Sequence, residues 1–275
     1  MGGPVLTRYT TPNTKGIRLR IAVAADLHEE AGEAALALLR QAEPELILLP
    51  GDILERIVPP ADLSRADIER RYQQARFPAA ERRLRPRMDA LRRRRRLQPQ
   101  EMHGLDFLRQ AAQIAPTYLS LGNHEFYFQP QDLLDLSDAG GILLDNRAVT
   151  VYARDGAAVR LGGLSTCPDR DWLAGFAAAP EFKLLLCHHP EYYEPLVRPT
   201  GIELTVSGHA HGGQIRLLGH GVYAPGQGPL PKYTKGVHDG GRLVVSAGLH
   251  STAGLPRWGN PTEVVLVDLV PDGAV

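Results

Sequence analysis

Cysteine is nearly absent from this 275-residue chain, which holds only Cys167 and Cys187. Two isolated thiols give no disulfide framework and no Cys-x-x-Cys metal pattern, which fits a reducing compartment. Both are expected as buried apolar residues rather than reactive thiols. Long hydrophobic runs are missing too, since the longest unbroken apolar stretches are strand-length, such as Leu184 to Cys187; no membrane-spanning helix is expected. The opening segment, MGGPVLTRYTTPN, has neither an apolar core nor a cleavage-like site. A cytoplasmic chain is expected, with peripheral contact with a membrane left open. Net charge is also lacking: 31 basic and 31 acidic residues cancel, so bulk charge points to no polyanionic partner.

What is present is enough to fold unaided. At 43% hydrophobic composition, the chain can bury a full core without disulfides or a partner, and one domain over 1–275 is expected. The zero net charge hides an asymmetry. From Arg65 to Arg96 there are 13 Arg against four acids, so this stretch carries a local excess of positive charge that the rest of the chain balances. Of the 31 basic residues 27 are Arg, so Arg92 to Arg96 can also be read as the solvated face of a helix or a subunit contact.

Hydrophobic patterning organises the chain around that stretch. Ile17 to Asp26 alternates and then runs apolar, a strand that ends on a carboxylate. A helix is expected over Glu30 to Gln41, stopped by Pro44, and Glu45 to Asp52 reads as a second buried strand ending on Asp. Strand, helix and strand with short connections predict a parallel pair. Residues 54 to 103 break the rhythm with arginines and with prolines at 59, 60, 78, 86 and 99, and are read as a helical insertion. The core pattern resumes with a helix near His103 to Gln113, a strand and turn over Thr117 to His124, and a helix near Gln131 to Asp138. Seven strands are then expected: Ile142 to Leu144, Ala148 to Tyr152, Val159 to Leu164, Phe182 to His188, Glu203 to His209, Arg242 to Ala247 and Thr262 to Leu269. The second half is read as mostly a second sheet. The fold class is therefore α/β, a four-layer sandwich of two mixed sheets flanked by helices.

Five blocks place metal-type ligands just past these strands: Asp26-Leu-His28, Gly51-Asp52, Gly122-Asn123-His124-Glu125, His188-His189 and Gly208-His209-Ala-His211. Ligands bind open α/β sheets at the carboxyl ends of strands, so residues far apart in sequence are expected to converge there. Asp26 and His28 are read as two ligands on one side of an extended segment, and His209 and His211 as a repeat of that geometry. Glycines beside Asp52, Asn123 and His209 allow close turns near ions. Carboxylate, imidazole and amide ligands suit Mn, Fe, Zn or similar ions rather than a thiolate site. Two cations need a bridging anion, for which Asp52 is a candidate, and such a pair can hold a bridging hydroxide and clamp a phosphate ester. A lone Asp-x-His or Gly-Asp would carry little weight; five blocks in order carry much more.

That ordered set, Asp-x-His, Gly-Asp, Gly-Asn-His-Glu, His and Gly-His-x-His over residues 26 to 211, resembles the calcineurin-like metallophosphoesterase superfamily. The resemblance implies two divalent ions. Asp26, His28, Asp52 and His211 would hold one; Asp52, Asn123, His188 and His209 would hold the other. His124 would face the leaving group. By analogy with the superfamily's phosphoprotein phosphatases, Glu55 would orient the catalytic histidine and Arg56 would bind phosphate. The tail, with Gly208 to Gln214, Lys235-Gly236, Leu243 to Leu249, Pro256-Arg257 and Pro261 to Glu263, is similar to a bacterial branch that includes membrane-associated phosphodiesterases and a UDP-2,3-diacylglucosamine hydrolase. The expected activity is therefore metal-dependent hydrolysis of phosphodiester or pyrophosphate bonds in a small or lipid-linked substrate. A nuclease, a protein phosphatase and a non-catalytic scaffold are the alternatives. Nucleic acid is not the expected partner, because the basic stretch lacks interleaved aromatics for stacking. His189, His220, His238 and His250 lie outside the pattern and are expected in ordinary polar roles, with His189 a candidate to support a ligand.

Overall fold

The computed structural model describes residues 3–60, 63–74, 102–252 and 256–274. Strand β1 (Val5–Asn13) is followed by β2 (Leu19–Val23), helix α1 (Glu33–Ala42) and β3 (Leu46–Pro50). Helix α2 (Arg65–Gln74) precedes α3 (Gly104–Ala112), β4 (Thr117–Ser120), α4 (Pro130–Asp138) and β5 (Gly141–Leu143). Next come β6 (Arg147–Tyr152), β7 (Ala158–Leu164), α5 (Arg170–Ala177), β8 (Phe182–Cys187) and β9 (Leu204–Ser207). Two short hairpins pair β10 (Arg216–Leu217) with β11 (His220–Gly221), and β12 (Tyr223–Ala224) with β13 (Gly228–Pro229). The chain ends with β14 (Gly236–His238), β15 (Leu243–Val245) and β16 (Glu263–Pro271).

The other twelve strands form two six-stranded sheets, in the orders β1-β16-β2-β3-β4-β5 and β14-β15-β9-β8-β7-β6. Both sheets are mixed. In the first, β2, β3, β4 and β5 run parallel while β16 and β2 are antiparallel. In the second, β7, β8, β9 and β15 are parallel and the outer pairs are antiparallel.

Strand alternation explains why the sheets stack. Ile21, Val23, Leu46 and Leu48 meet Val159, Leu161, Leu184, Leu186, Leu204 and Val206 between the sheets. The intervening residues Ala22, Ile47 and Leu49 face outward onto Leu36 and Leu39 of α1, Phe107 and Leu108 of α3 and Leu136 of α4. On the far side, Leu185, Cys187, Leu243 and Val245 pack against Leu173 and Phe176 of α5 and against Tyr192, Tyr193 and Val197. A strand buried on both faces reads as a continuous apolar run, as β3 and β8 do. Helices, sheet, sheet and helices give the expected four layers. Cys187 sits in that outer core, as its neighbours in the sequence suggested.

Several elements differ from the sequence reading, among them β10 to β14, which it did not include. The strand expected over Thr262 to Leu269 does form, but it enters the first sheet between β1 and β2. Strand β1 had not been expected; it lies at the sheet edge, where Pro12 removes a hydrogen-bond donor at little cost. Helix α5 had also been missed, although Asp169 caps it by accepting from the backbone N–H groups of Asp171 and Trp172. The insertion expected over 54–103 contains α2; the Arg92 to Arg96 run lies outside the described residues. Among the described residues, no helix is long and apolar enough to cross a membrane.

Candidate metal centre

Parallel strands bring the five blocks to one end of the sandwich. β2, β3 and β4 share a direction, so the segments after them carry Asp26 and His28, Asp52, and Asn123 and His124 to the same edge. β8 and β9, parallel to each other, deliver His188, His209 and His211. The two groups touch: His188 Nδ1 donates to the Pro50 carbonyl at 2.7 Å.

The local backbone differs from the extended segments expected from Asp-x-His spacing. β2 ends at Val23, and Asp26 and His28 lie beyond it with φ of 57° and 54°. Asp52, His209 and His211 are likewise left-handed, with φ of 56°, 65° and 46°. Side-chain alternation along a strand therefore does not explain how these residues share a site. Non-glycine residues rarely hold this conformation, and it persists where surrounding contacts over-determine it. Here those contacts are visible. His28 N–H donates to the Asp52 carbonyl at 2.9 Å, and Asp26 N–H to the Gly51 carbonyl at 3.2 Å. Asp26 Oδ1 accepts from His209 N–H at 3.0 Å, and Asp52 Oδ1 from His124 N–H at 2.8 Å. Gly122 is required beside Asp52, because a Cβ there would fall 2.1 Å from Asp52 Oδ1.

Among the described residues, four sets of side chains have ligand atoms close enough to share an ion: Asp26, His28 and His211; His28, Asp52 and His124; Asp52, His188 and His209; and His189, Glu191 and His209. Asp52 belongs to two of them. All of these residues except the half-buried Glu191 are buried, and Asn123 Oδ1 lies 3.1 Å from His188 Nε2. The tautomers are set from outside the cluster. With its Nδ1 on the Pro50 carbonyl, His188 presents Nε2 to Asp52 Oδ2 at 3.3 Å. His211 Nδ1 donates to the His250 carbonyl at 3.0 Å, which leaves its Nε2 for a ligand role.

Titration divides the rings: against their burial, the surrounding carboxylates raise His28 and His188, whereas His209 and His211 are lowered. Burial would raise the Asp52 carboxyl, but the His188, His124 and His28 rings outweigh it and hold it well below the carboxylate range. Burial would likewise lower His188, yet Asp52 beside it carries it up to about 10. Burial holds His209 and His211 well below the ordinary histidine value, helped by neighbouring imidazoles. These two rings stay neutral, the form that binds metal. Two buried atoms, Asp52 Oδ2 and His28 Nε2, have no hydrogen-bond partner. An orphaned buried polar atom costs about 1–3 kcal/mol, and a divalent cation between them would satisfy both. The donor set therefore fits divalent metal.

His124 and Glu55 form the polar flank of this cluster. Glu55 Oε1 accepts from His124 Nδ1 at 2.7 Å and from His28 Nδ1 at 2.8 Å. Burial would push Glu55 up, but the two rings carry it down to about 2. Arg56 is differently placed: its guanidinium donates to Asp132 at 2.5 Å and to Glu29 at 3.0 Å. An incoming phosphate would compete with those two carboxylates.

Several supports were not singled out by sequence. Glu125 accepts from four backbone N–H groups, of Asp52, Ile53, Leu54 and Gly122, at 2.7–2.8 Å. It ties the loop after β3 to the loop after β4, and its place in Gly-Asn-His-Glu was the available signal. Asn260 holds the His211 loop by donating to the carbonyls of His211 and Gln214. Gly248 lies against Asp26, where a Cβ would fall 2.5 Å from Oδ2. Asn260 had no motif to mark it, and Gly248 was marked only as part of the tail stretch Leu243 to Leu249.

Comparison with known proteins agrees with this geometry. One relative, an uncharacterized protein YpbG of Bacillus subtilis (strain 168), is 24% identical over 160 residues, 56% of this chain and 58% of its own length. The chain thus spans a little over half of that relative. A solved structure at 12% identity covers 83% of this chain and 90% of its own, with a TM-score of 0.42, a likeness too low to argue from. Residues 19–213 match the family of calcineurin-like phosphoesterases. That match spans most of the chain and contains every one of the five blocks, so the chain belongs to the calcineurin-like phosphoesterase family.

Proposed function

We propose that the chain hydrolyses phosphodiester or pyrophosphate bonds of a small or lipid-linked substrate, using two divalent ions. The observation that supports this best is Asp52, a buried carboxylate common to two ligand sets, with one oxygen unpartnered and imidazoles of His28 and His188 at 3.9 and 3.3 Å. In this reading Asp26, His28, Asp52 and His211 hold one ion, and Asp52, Asn123, His188 and His209 the other. When bound, two such ions would activate water and neutralise charge on the attacking and leaving oxygens. The chain's own work is then positional. His124, with Nδ1 on Glu55, offers Nε2 to the departing oxygen, and the Glu55 carboxylate stabilises the protonated ring. The substrate class rests on the tail motif from Gly208 to Gln214 and beyond, which is similar to that of the bacterial phosphodiesterase and UDP-2,3-diacylglucosamine hydrolase branch.

Metal-reconstituted protein tested on a diester, a monoester, a nucleoside diphosphate lipid and single-stranded DNA separates the readings. Turnover is expected to require Mn2+ or a similar ion and to be fastest on the diester or the diphosphate lipid. Asp52→Asn and His209→Ala are expected to lose both bound metal and turnover. Full activity in either variant would overturn the site, and preference for DNA would make the chain a nuclease.

A further inference from the structure

His189 and Glu191 have no part in the two ion sites proposed above, although with His209 they form a further set of side chains close enough to share an ion. β8 ends in His188-His189-Pro190-Glu191, and the short turn over Pro190–Tyr192 carries Glu191 back under His209. Glu191 Oε1 accepts from His189 Nδ1 at 3.1 Å and lies 3.6 Å from His209 Nε2. The His189 ring is itself fixed, with Nε2 3.2 Å from Thr166 Oγ1 and its face stacked on Tyr192. The other Glu191 oxygen is buried with no hydrogen-bond partner. Gly226, in the turn between β12 and β13, closes the far side: a Cβ there would fall 2.1 Å from Glu191 Oε1. Burying part of a carboxylate is costly unless it is paired and hydrogen-bonded, and the groups beside Glu191 are the His189 and His209 rings.

We propose that Glu191 is a positioning residue for His209. In this proposal His209 Nε2, 3.6 Å from Glu191 Oε1, would donate its N–H to the carboxylate and leave Nδ1 for the ion that Asp52 and His188 would share. Such a carboxylate behind a ligating histidine fixes its tautomer and raises its basicity. Having Oε1 on His189 as well keeps Glu191 from rotating away. The inference rests on the two-ion reading of the site, and it assigns a role to His189 and Glu191, which that reading leaves unused.

Calorimetric titration of the metal-free full chain with Mn2+ tests it, with thermal unfolding in chelator as control. Wild type is expected to take two ions. Glu191→Gln, nearly isosteric, is expected to keep the chelator melting temperature and one ion at unchanged affinity, while the other binds about 10- to 100-fold more weakly. Glu191→Asp is expected to recover part of that loss. The d–d absorption of the Co2+-loaded form should change in Glu191→Gln even at saturating metal, which a merely structural residue would not cause. Two ions bound with wild-type affinity by Glu191→Gln would overturn the inference. So would a third ion in wild type that the variant loses, since Glu191 would then be a ligand itself. Wild type that takes up fewer than two ions fails the two-ion reading first, and is distinguished by needing no variant.

Discussion

His124 and His28 share one acceptor, Glu55 Oε1, and their rings stand 4.4 Å apart, nearly perpendicular. The same carboxylate therefore orients a residue expected to bind metal and a residue expected to meet the leaving group. Only the second should be dispensable for ion binding. In His124→Ala both ions are expected to remain, while kcat on an alkyl ester falls about 10²- to 10⁴-fold, the range for a lost general acid. On a nitrophenyl ester, whose leaving group needs no proton, the loss should be much smaller. Equal losses on both substrates would remove His124 from leaving-group chemistry. The residues with distinctive side chains were the legible ones here: carboxylate, imidazole and amide spaced past strand ends marked side chains that the fold brings together. What stayed hidden acts through the backbone. The Pro50 and His250 carbonyls choose the nitrogens of His188 and His211, and a carbonyl carries no residue signature.

Among the elements, strands buried on both faces were easiest to read, because β3 and β8 are uninterrupted apolar runs. β1 was harder: VLTRYTTPN mixes polar residues and a proline, and its pairing with β16 spans the length of the chain. The loops after the strands were misjudged for a physical reason, since left-handed φ at Asp26, His28 and Asp52 is imposed by contacts that only the assembled site provides. Strand ends far from the site also carry charge. Glu203, just before β9, accepts from the Lys183 backbone N–H at 3.0 Å and pairs with Lys15 at 2.7 Å. Burial would raise its carboxyl, but Lys15 and Lys183 hold it below the usual range. A carboxyl depressed on folding contributes stability above its unfolded value of about 4.3, and that contribution fades as pH falls through the folded value. Glu203→Gln is expected to lower the melting temperature at pH 7 by about 2–4 °C, as a loss of about 1 kcal/mol does in a chain of this size. The gap to wild type should shrink below about pH 4. A gap that stays constant between pH 7 and pH 3 would mean the carboxylate's charge is not what stabilises this strand end.

At the scale of the whole molecule, the site is a seam between two sheets. Asp26, His28, Asp52, Asn123 and His124 follow strands of the first sheet, and His188, His209 and His211 follow strands of the second. The apolar layer between the sheets holds them together everywhere else, but at this end buried polar atoms face one another, and Asp52 Oδ2 and His28 Nε2 are among those without a hydrogen-bond partner. An ion bound there does two things at once: it satisfies Asp52 and His28, and it links the sheets across their polar edge. Because the ligand groups come together only in the folded chain, ion binding adds directly to folding stability. At free ion about 100 times the dissociation constant, the gain is about 2.7 kcal/mol per site, or roughly 5–10 °C in melting temperature for a chain of this length. Scanning calorimetry in Mn2+ and in chelator is expected to show that difference for wild type in a single transition, and none for Asp52→Asn. Two resolved transitions in chelator would mean the sheets unfold separately once the seam is empty. Identical melting temperatures in metal and chelator would mean that no ion bridges them at all.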